Sequence, residues 1–162
     1  MVLARPGLAR SRACAAFASE GVDPARIDFV DYRPREGYFR LYHDVDIGLD
    51  TVPVNGGTTT IDSFWMGVPV ISPVGRTVLG RAGLCLASNL GLPELAASTP
   101  EEFVRVAVEL SRDWEHLAHL RATMRKRLES SPLMDAERFA RHMEIAFRGM
   151  WHRWCEEGAP GL

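Results

Sequence analysis

Apolar and polar residues alternate along Val45 to Asp50, with Val45, Ile47 and Leu49 on one side and Asp46, Gly48 and Asp50 on the other. That period of two is the signature of a strand. Asn55-Gly56-Gly57 then breaks the chain, because glycine permits φ > 0 and lets a ligand approach the backbone closely. Thr58, Thr59 and Thr60 stand where a helix opens, and Ile61, Phe64 and Trp65 share one face of it before Gly67 stops it. Val68-Pro69-Val70-Ile71 reads as a short, buried parallel strand. Val45 to Ile71 is therefore one complete βαβ unit.

The same reading extends in both directions. Upstream, Val2-Leu3 is a strand remnant, Pro6-Gly7 a loop, Ser11–Glu20 a helix, and Ile27–Val30 a strand introduced by Asp23-Pro24. A loop from Arg33 to Gly37 enters a helix over Tyr38–His43. Downstream, Ser72–Gly80 carries two glycines and a proline and reads as a surface loop. Arg81–Leu90 is a helix ended by Gly91, and Leu95-Ala96-Ala97 a short last strand. Thr99-Pro100-Glu101-Glu102 is a capping box with proline at the first helical position. Phe103, Val104, Ala107, Val108 and Ser111 form the stripe of that helix. A second helix starts at Asp113 or Trp114 with Leu117, Leu120, Met124 and Leu128 inward. Asp135 caps a third, where Phe139, Met143, Phe147, Met150 and Trp154 recur at helical spacing. All three stripes are expected to face the core. The fold class is α/β, a Rossmann-like parallel sheet with helices on both faces. The whole of 1–162 reads as a single domain, with 99–157 its helical C-terminal part.

Composition narrows the class without sharpening it. The 162 residues suit one domain, and 46% hydrophobic with 25% charged residues is an ordinary globular balance. A net charge of −2 gives no basic footprint for nucleic acid, and no apolar run approaches the ~20 residues of a membrane span. Cys14, Cys85 and Cys155 are scattered without CxxC spacing, which points to a reducing, cytoplasmic setting and no disulfide framework. Residues 1–21 are rich in arginine and alanine but hold no apolar core of a secretory signal; a helix is the reading favoured over a transit peptide.

The candidate chemistry lies at the glycine turn. The first N–H groups of a helix lack intrahelical partners, and the peptide dipoles add positive partial charge there. An anion such as phosphate gains both at such an end. The threonine hydroxyls can donate to phosphate oxygens, and Asp62 can accept from a ribose hydroxyl. The competing reading is an ordinary strand–turn–helix with Thr58 or Thr59 as N-cap, since neither GxGxxG nor GxxxxGK[ST] is present. Arg76 and Arg81 follow a strand end, the edge where open α/β sheets bind ligands, and are candidate diphosphate or sugar contacts. His116 and His119 have a metal-compatible spacing but no third ligand nearby, so a solvated helix face is expected and no metal site. Ser63 lacks a G-x-S-x-G elbow.

The run DIGLDTVPVNGGTTTIDSFWMGVPVIS resembles the nucleotide-binding segment of protein O-GlcNAc transferases and SPINDLY-like glycosyltransferases. Their pattern is roughly D-x-x-L-D-x-x-P-x-N-G-x-T-T-x-x-(D/E)-x-L-W-M/A-G-x-P. Asp46, Leu49, Asp50, Pro53, Asn55, Gly56, Thr58, Thr59, Asp62, Trp65, Gly67 and Pro69 fit it. Phe64 stands where leucine is usual, and Gly57 where some members carry histidine. GLPELAASTPEEFVRVAVEL, SSPLMDAERFA and GMWHRWC are also similar to that family, so the resemblance runs from about Val2 onward.

The resemblance implies part of the C-terminal, donor-binding domain of a two-Rossmann (GT-B) inverting glycosyltransferase. Its donor is UDP-GlcNAc, its acceptor Ser/Thr on protein, and it uses no metal or other cofactor. Asn55, Gly56, Gly57, Thr58 and Thr59 hold the diphosphate in this picture, and Asp62 the ribose. The loop before Tyr38 lies over the base, with Tyr38 stacking on the uracil and Arg35 or Arg33 near the base edge or phosphate. A solvated arginine and a Tyr38 packed on Phe39 and Leu41 are the plainer alternatives. The general base is expected outside this chain, as are the other catalytic half, the tetratricopeptide repeats and a diphosphate-contacting lysine. The one lysine, Lys126, falls in a C-terminal helix. Because Val2-Leu3 matches the family's second strand, the chain by itself is expected to be inactive and poorly folded. A GDP-fucose-type donor and a non-catalytic nucleotide-binding or interaction fragment remain the alternatives.

Overall fold

The computed structural model describes residues 2–3 and 6–157, with the side chains of Val2 and Leu3 set aside. They fall into two compact units, Met1–Asp46 and Ile47–Leu162.

In the first unit, β1 (Val2–Leu3) pairs in parallel with β2 (Phe29–Val30), Val2 opposite Phe29 and Leu3 opposite Val30. Between them runs α1 (Leu8–Ser19), which begins just after Gly7 at φ 127° and has no buried residue. The Arg10 guanidinium ties α1 to β2, bonding Asp31 at 2.7 Å and lying 5.3 Å from the Phe29 ring centroid. Asp23 turns the chain towards β2, its carboxylate accepting from the Ala25 N–H at 2.9 Å. The helix α2 (Arg35–Arg40) starts three residues before the expected Tyr38, because Pro34 supplies its N-cap, and it tightens into a 3-10 turn over Leu41–Asp44.

The second unit is a parallel sheet of order β3-β4-β5: Gly48–Leu49, Val70–Pro73 and Ala96–Ala97. The register sets Gly48 opposite Val70, Leu49 opposite Ile71, Ser72 opposite Ala96 and Pro73 opposite Ala97. Connecting and following these strands are α3 (Thr58–Trp65), α4 (Ala82–Asn89), α5 (Pro100–Arg112), α6 (Trp114–Glu129) and α7 (Ala136–Glu157). Phe64 of α3, Ile71 of β4, Leu86 of α4, Leu110 of α5 and Leu120, Met124 and Leu128 of α6 form one buried cluster. Ile61 and Trp65 pack against it as their spacing with Phe64 predicts. Burying each such side chain fully stabilises the fold by about 1.5–3 kcal/mol. Gly67, at φ 80°, lets α3 turn back under α6: a Cβ there would stand 2.7 Å from the Arg121 carbonyl oxygen.

The starts of α5, α6 and α7 follow the sequence closely, whereas α1 begins at Leu8, three residues before the expected Ser11. Thr99 accepts from the Glu102 N–H at 3.1 Å, and Glu102 returns a bond to the Ser98 N–H at 2.7 Å. Asp113 and Asp135 cap α6 and α7 by accepting from His116 and Arg138 N–H at 2.9 Å each.

Four expectations are corrected. The regular part of β3 is only Gly48–Leu49, since Leu41–Asp44 is a 3-10 turn and the chain reaches extended geometry only at Val45. The strand after Gly67 starts at Val70 and continues to Pro73, so Ser72 and Pro73 belong to the sheet and not to the loop. The stripe of α7 does not face the core: Phe139 is 66% exposed and Met143, Phe147, Met150 and Trp154 are exposed with it. In α5, Val104 and Val108 are likewise exposed, while Phe103, Val106, Ala107 and Leu110 turn inward. Helical spacing shows that a stripe exists; it does not say what covers it.

Candidate functional site

The parallel strands β3 and β4 end at one edge of the sheet, and the segments that leave them, 50–57 and 74–81, are bonded to each other. The Asn55 N–H donates to the Leu79 carbonyl at 3.2 Å, while the second segment is closed on itself by the Gly75 N–H donating to the Gly80 carbonyl at 2.6 Å. Two side chains anchor the first of these segments to its neighbours, and the Thr51 hydroxyl braces it internally by donating to the Val54 carbonyl at 2.7 Å. Asp50 Oδ1 accepts from the N–H of Thr51 at 2.8 Å and of Gly56 at 2.7 Å, while Oδ2 accepts from the buried Ser72 hydroxyl at 2.8 Å. Buried Asn55 donates through Nδ2 to the carbonyls of Thr51 and Pro73, both at 3.2 Å. Its Oδ1 accepts from the Gly83 N–H at 3.2 Å, which satisfies an N–H in the first turn of α4.

The turn then delivers α3. Gly57 is its N-cap, a residue with no side chain to cap the first-turn N–H groups. The threonine N-cap reading is thereby corrected: Thr58 and Thr59 lie inside the helix, beyond the cap, and are exposed with Gly57. Thr60 is buried, and Asp62 is half-buried on the same helix. Gly56 is sterically required, since a Cβ would meet Thr60 Oγ1 at 2.5 Å and Thr59 Oγ1 at 2.9 Å. Gly57 is not, for a Cβ there meets nothing within 4 Å.

The predicted site residues therefore divide. Gly56, Gly57, Thr58, Thr59 and Asp62 are together in the turn and first helical turns. Asn55 is adjacent, but its amide is engaged with the fold. Arg81 is exposed at the end of the neighbouring segment, just before α4, and Arg76 is exposed within that segment. Tyr38 and Arg35 belong to the first unit. There Tyr38 is half-buried, its hydroxyl 2.5 Å from the Tyr42 hydroxyl and its ring edge-on to Phe39 and Tyr42, both at 5.3 Å. The exposed Arg35 guanidinium lies 5.8 Å from the Phe39 ring centroid. His116 and His119 are exposed on α6, and among the described residues no three metal-ligating groups converge.

Asp50, Ser72 and Gly83 carry the turn's architecture without having been assigned a role. Asp50 was visible as part of the motif, at the end of an alternating strand. Its partner Ser72 lies 22 positions along the chain, and Asn55's partner Gly83 lies 28 positions along, so neither pairing shows in local spacing.

A parallel α/β sheet with a glycine turn opening a helix at its C-terminal edge defines a Rossmann-like ligand-binding domain. The chain belongs to glycosyl transferase family 41, whose sequence profile matches residues 2–143. It is 37% identical over 143 residues to the probable UDP-N-acetylglucosamine–peptide N-acetylglucosaminyltransferase SPINDLY of Eustoma exaltatum subsp. russellianum, covering 88% of this chain and 16% of that protein. It is 36% identical over 140 residues to the UDP-N-acetylglucosamine–peptide N-acetylglucosaminyltransferase of Caenorhabditis elegans, covering 86% and 12%. A solved mutant of the Thermobaculum terrenum O-GlcNAc transferase superposes with a TM-score of 0.85 at 37% identity, covering 93% of this chain and 29% of the other. The fold is accordingly that of a GT-B C-terminal domain, as the motif resemblance implies. The chain spans about a sixth or less of the length of these curated relatives. No described helix is long and apolar enough to cross a membrane.

Proposed function

We propose that this chain forms the donor-binding part of an inverting glycosyltransferase that moves N-acetylglucosamine from UDP-GlcNAc to serine or threonine of a protein. The observation that carries the reading is the start of α3, where the N-cap is a glycine and Gly57, Thr58 and Thr59 are exposed beyond the turn. The names of the family relatives support the choice of donor and acceptor.

The reaction joins an acceptor hydroxyl oxygen to the anomeric carbon as the bond from that carbon to the diphosphate breaks. The acceptor proton passes to a base in the rest of the protein, and negative charge develops on the departing UDP. The first-turn amides of α3 and the hydroxyls of Thr58 and Thr59 meet that charge with preorganised donors, which supports departure without a metal. Asp62, further along the same helix, accepts from a ribose hydroxyl. Arg81 and Arg35 are carried as proposed contacts to the diphosphate and nucleotide, and Tyr38 as a proposed stacking ring for the base. The rest of the protein supplies the second catalytic half and the tetratricopeptide repeats that present the acceptor. The scattered thiols suit a cytoplasmic setting.

Titration of the chain with UDP-GlcNAc and with GDP-fucose in chelator tests this reading. Saturable binding of UDP-GlcNAc with GDP-fucose at least about tenfold weaker, a difference of about 1.4 kcal/mol, is expected. Preference for GDP-fucose moves the donor assignment, and binding of neither by a chain that melts cooperatively overturns it.

A further inference from the structure

We infer that Asp50 and Asn55 are positioning residues that hold the anion-binding turn in its open geometry, an inference that rests on the donor-site reading above. Between β3 and α3 the chain must turn through residues 51–57, and glycine at Gly56 and Gly57 leaves that segment with little intrinsic preference. Besides the Thr51 hydroxyl on the Val54 carbonyl and the Asn55 N–H on the Leu79 carbonyl, what anchors it is a set of bonds from two side chains. Asp50 grips the segment at both ends, at the N–H of Thr51 and of Gly56, and anchors it to β4 through the buried Ser72 hydroxyl. Asn55 anchors it to the end of β4 at Pro73 and to the first turn of α4 at Gly83. The anchor requires close approach: a Cβ at Gly83 would overlap the Ser72 side chain and stand 3.2 Å from Asp50 Oδ2.

This has a chemical consequence for the ligand. The Gly56 N–H is directed at Asp50, so the anion meets the amides and hydroxyls that follow it, beginning at Gly57. Asp50 thus acts through the turn, and its contribution belongs to the diphosphate and not to the nucleoside. Because a carboxylate accepting two backbone N–H bonds is replaced in shape by an amide with one such oxygen, asparagine at this position keeps the bond to Gly56. Its NH2 group then faces the Ser72 hydroxyl, which accepts as well as donates.

The test measures UDP and uridine binding to the chain in chelator, alongside amide exchange at Gly56, for wild type, Asp50→Ala and Asp50→Asn. Asp50→Ala is expected to weaken UDP by at least about tenfold and leave uridine within about twofold, with faster exchange at Gly56. Asp50→Asn is expected to restore UDP affinity to within about threefold of wild type and to restore protection. Equal losses of UDP and uridine, or unchanged UDP affinity in Asp50→Ala, overturn the positioning role while leaving the donor site in place. A wild-type chain that melts cooperatively yet binds no UDP overturns the donor-site reading and this role with it, and the exchange data then report the brace alone. Should Asp50→Ala not fold, Ser72→Ala takes its place: a loss of about two- to fivefold for UDP with uridine unchanged is expected, and no loss overturns the inference.

Discussion

The Asp50 carboxylate and the Gly56 backbone N–H are joined by a 2.7 Å hydrogen bond that closes the turn ahead of α3. A charged acceptor makes this one of the stronger bonds in the unit. It also separates two adjacent glycines that look interchangeable in the sequence. Gly56 is held inside the turn against Thr59 and Thr60, whereas Gly57 borders open space.

Substituting each glycine by alanine should therefore have opposite consequences for stability. Gly56→Ala forces its methyl against Thr60 Oγ1 and Thr59 Oγ1, and should lower both the melting temperature and UDP affinity, the latter by about tenfold or more. Gly57→Ala, with no protein atom near the added methyl, should change the melting temperature little. Calorimetry and a UDP titration on the two variants check this, and a fall in melting temperature for Gly57→Ala equal to that of Gly56→Ala contradicts it.

Tyr38 is a second contrast. Its ring packs edge-on to Phe39 and Tyr42, and its hydroxyl meets that of Tyr42. If the ring is the base platform, Tyr38→Phe should keep uridine affinity and Tyr38→Ala should lose about 1–3 kcal/mol of it. Fluorescence titration reads the affinity. Retained affinity with a lowered melting temperature in Tyr38→Ala assigns the ring to packing within the first unit.

Leu120 and Phe147 occupy comparable positions on apolar stripes, yet one is buried at 1% exposure and the other is 59% exposed. Leu120→Ala should cost about 2–5 kcal/mol of stability, and Phe147→Ala no more than about 0.5 kcal/mol. Urea unfolding of the two variants measures the difference, and equal costs contradict the exposed placement of α7.

The contrast between α6 and α7 shows what the sequence discloses. In α6 the positions Leu117, Leu120, Met124 and Leu128 follow helical spacing and are all buried, as read. The α7 spacing is as regular, but burial needs an opposing surface, and a periodic pattern carries no information about one. Helix starts were legible because capping is local: Thr99, Asp113 and Asp135 each bond an N–H three residues on. The short β3 was over-read because alternation continued through Val45 while the preceding residues had closed into a 3-10 turn. The glycine turn at Gly56-Gly57 and the helix opening at Thr58 and Thr59 are legible from composition and order. The roles of Asp50, Asn55 and Ser72 were not, because their bonds cross between strand ends and a helix start far apart in the chain.

The central claim is that the start of α3 binds the diphosphate of a nucleotide sugar without metal. The direct measurement is isothermal titration of UDP in chelator against the wild-type chain and a Thr58→Ala/Thr59→Ala variant whose circular dichroism matches it. Loss of two hydroxyl donors to a charged ligand should weaken binding by about 1–3 kcal/mol, which is roughly 5- to 150-fold. Equal UDP affinity in the folded double variant contradicts the claim.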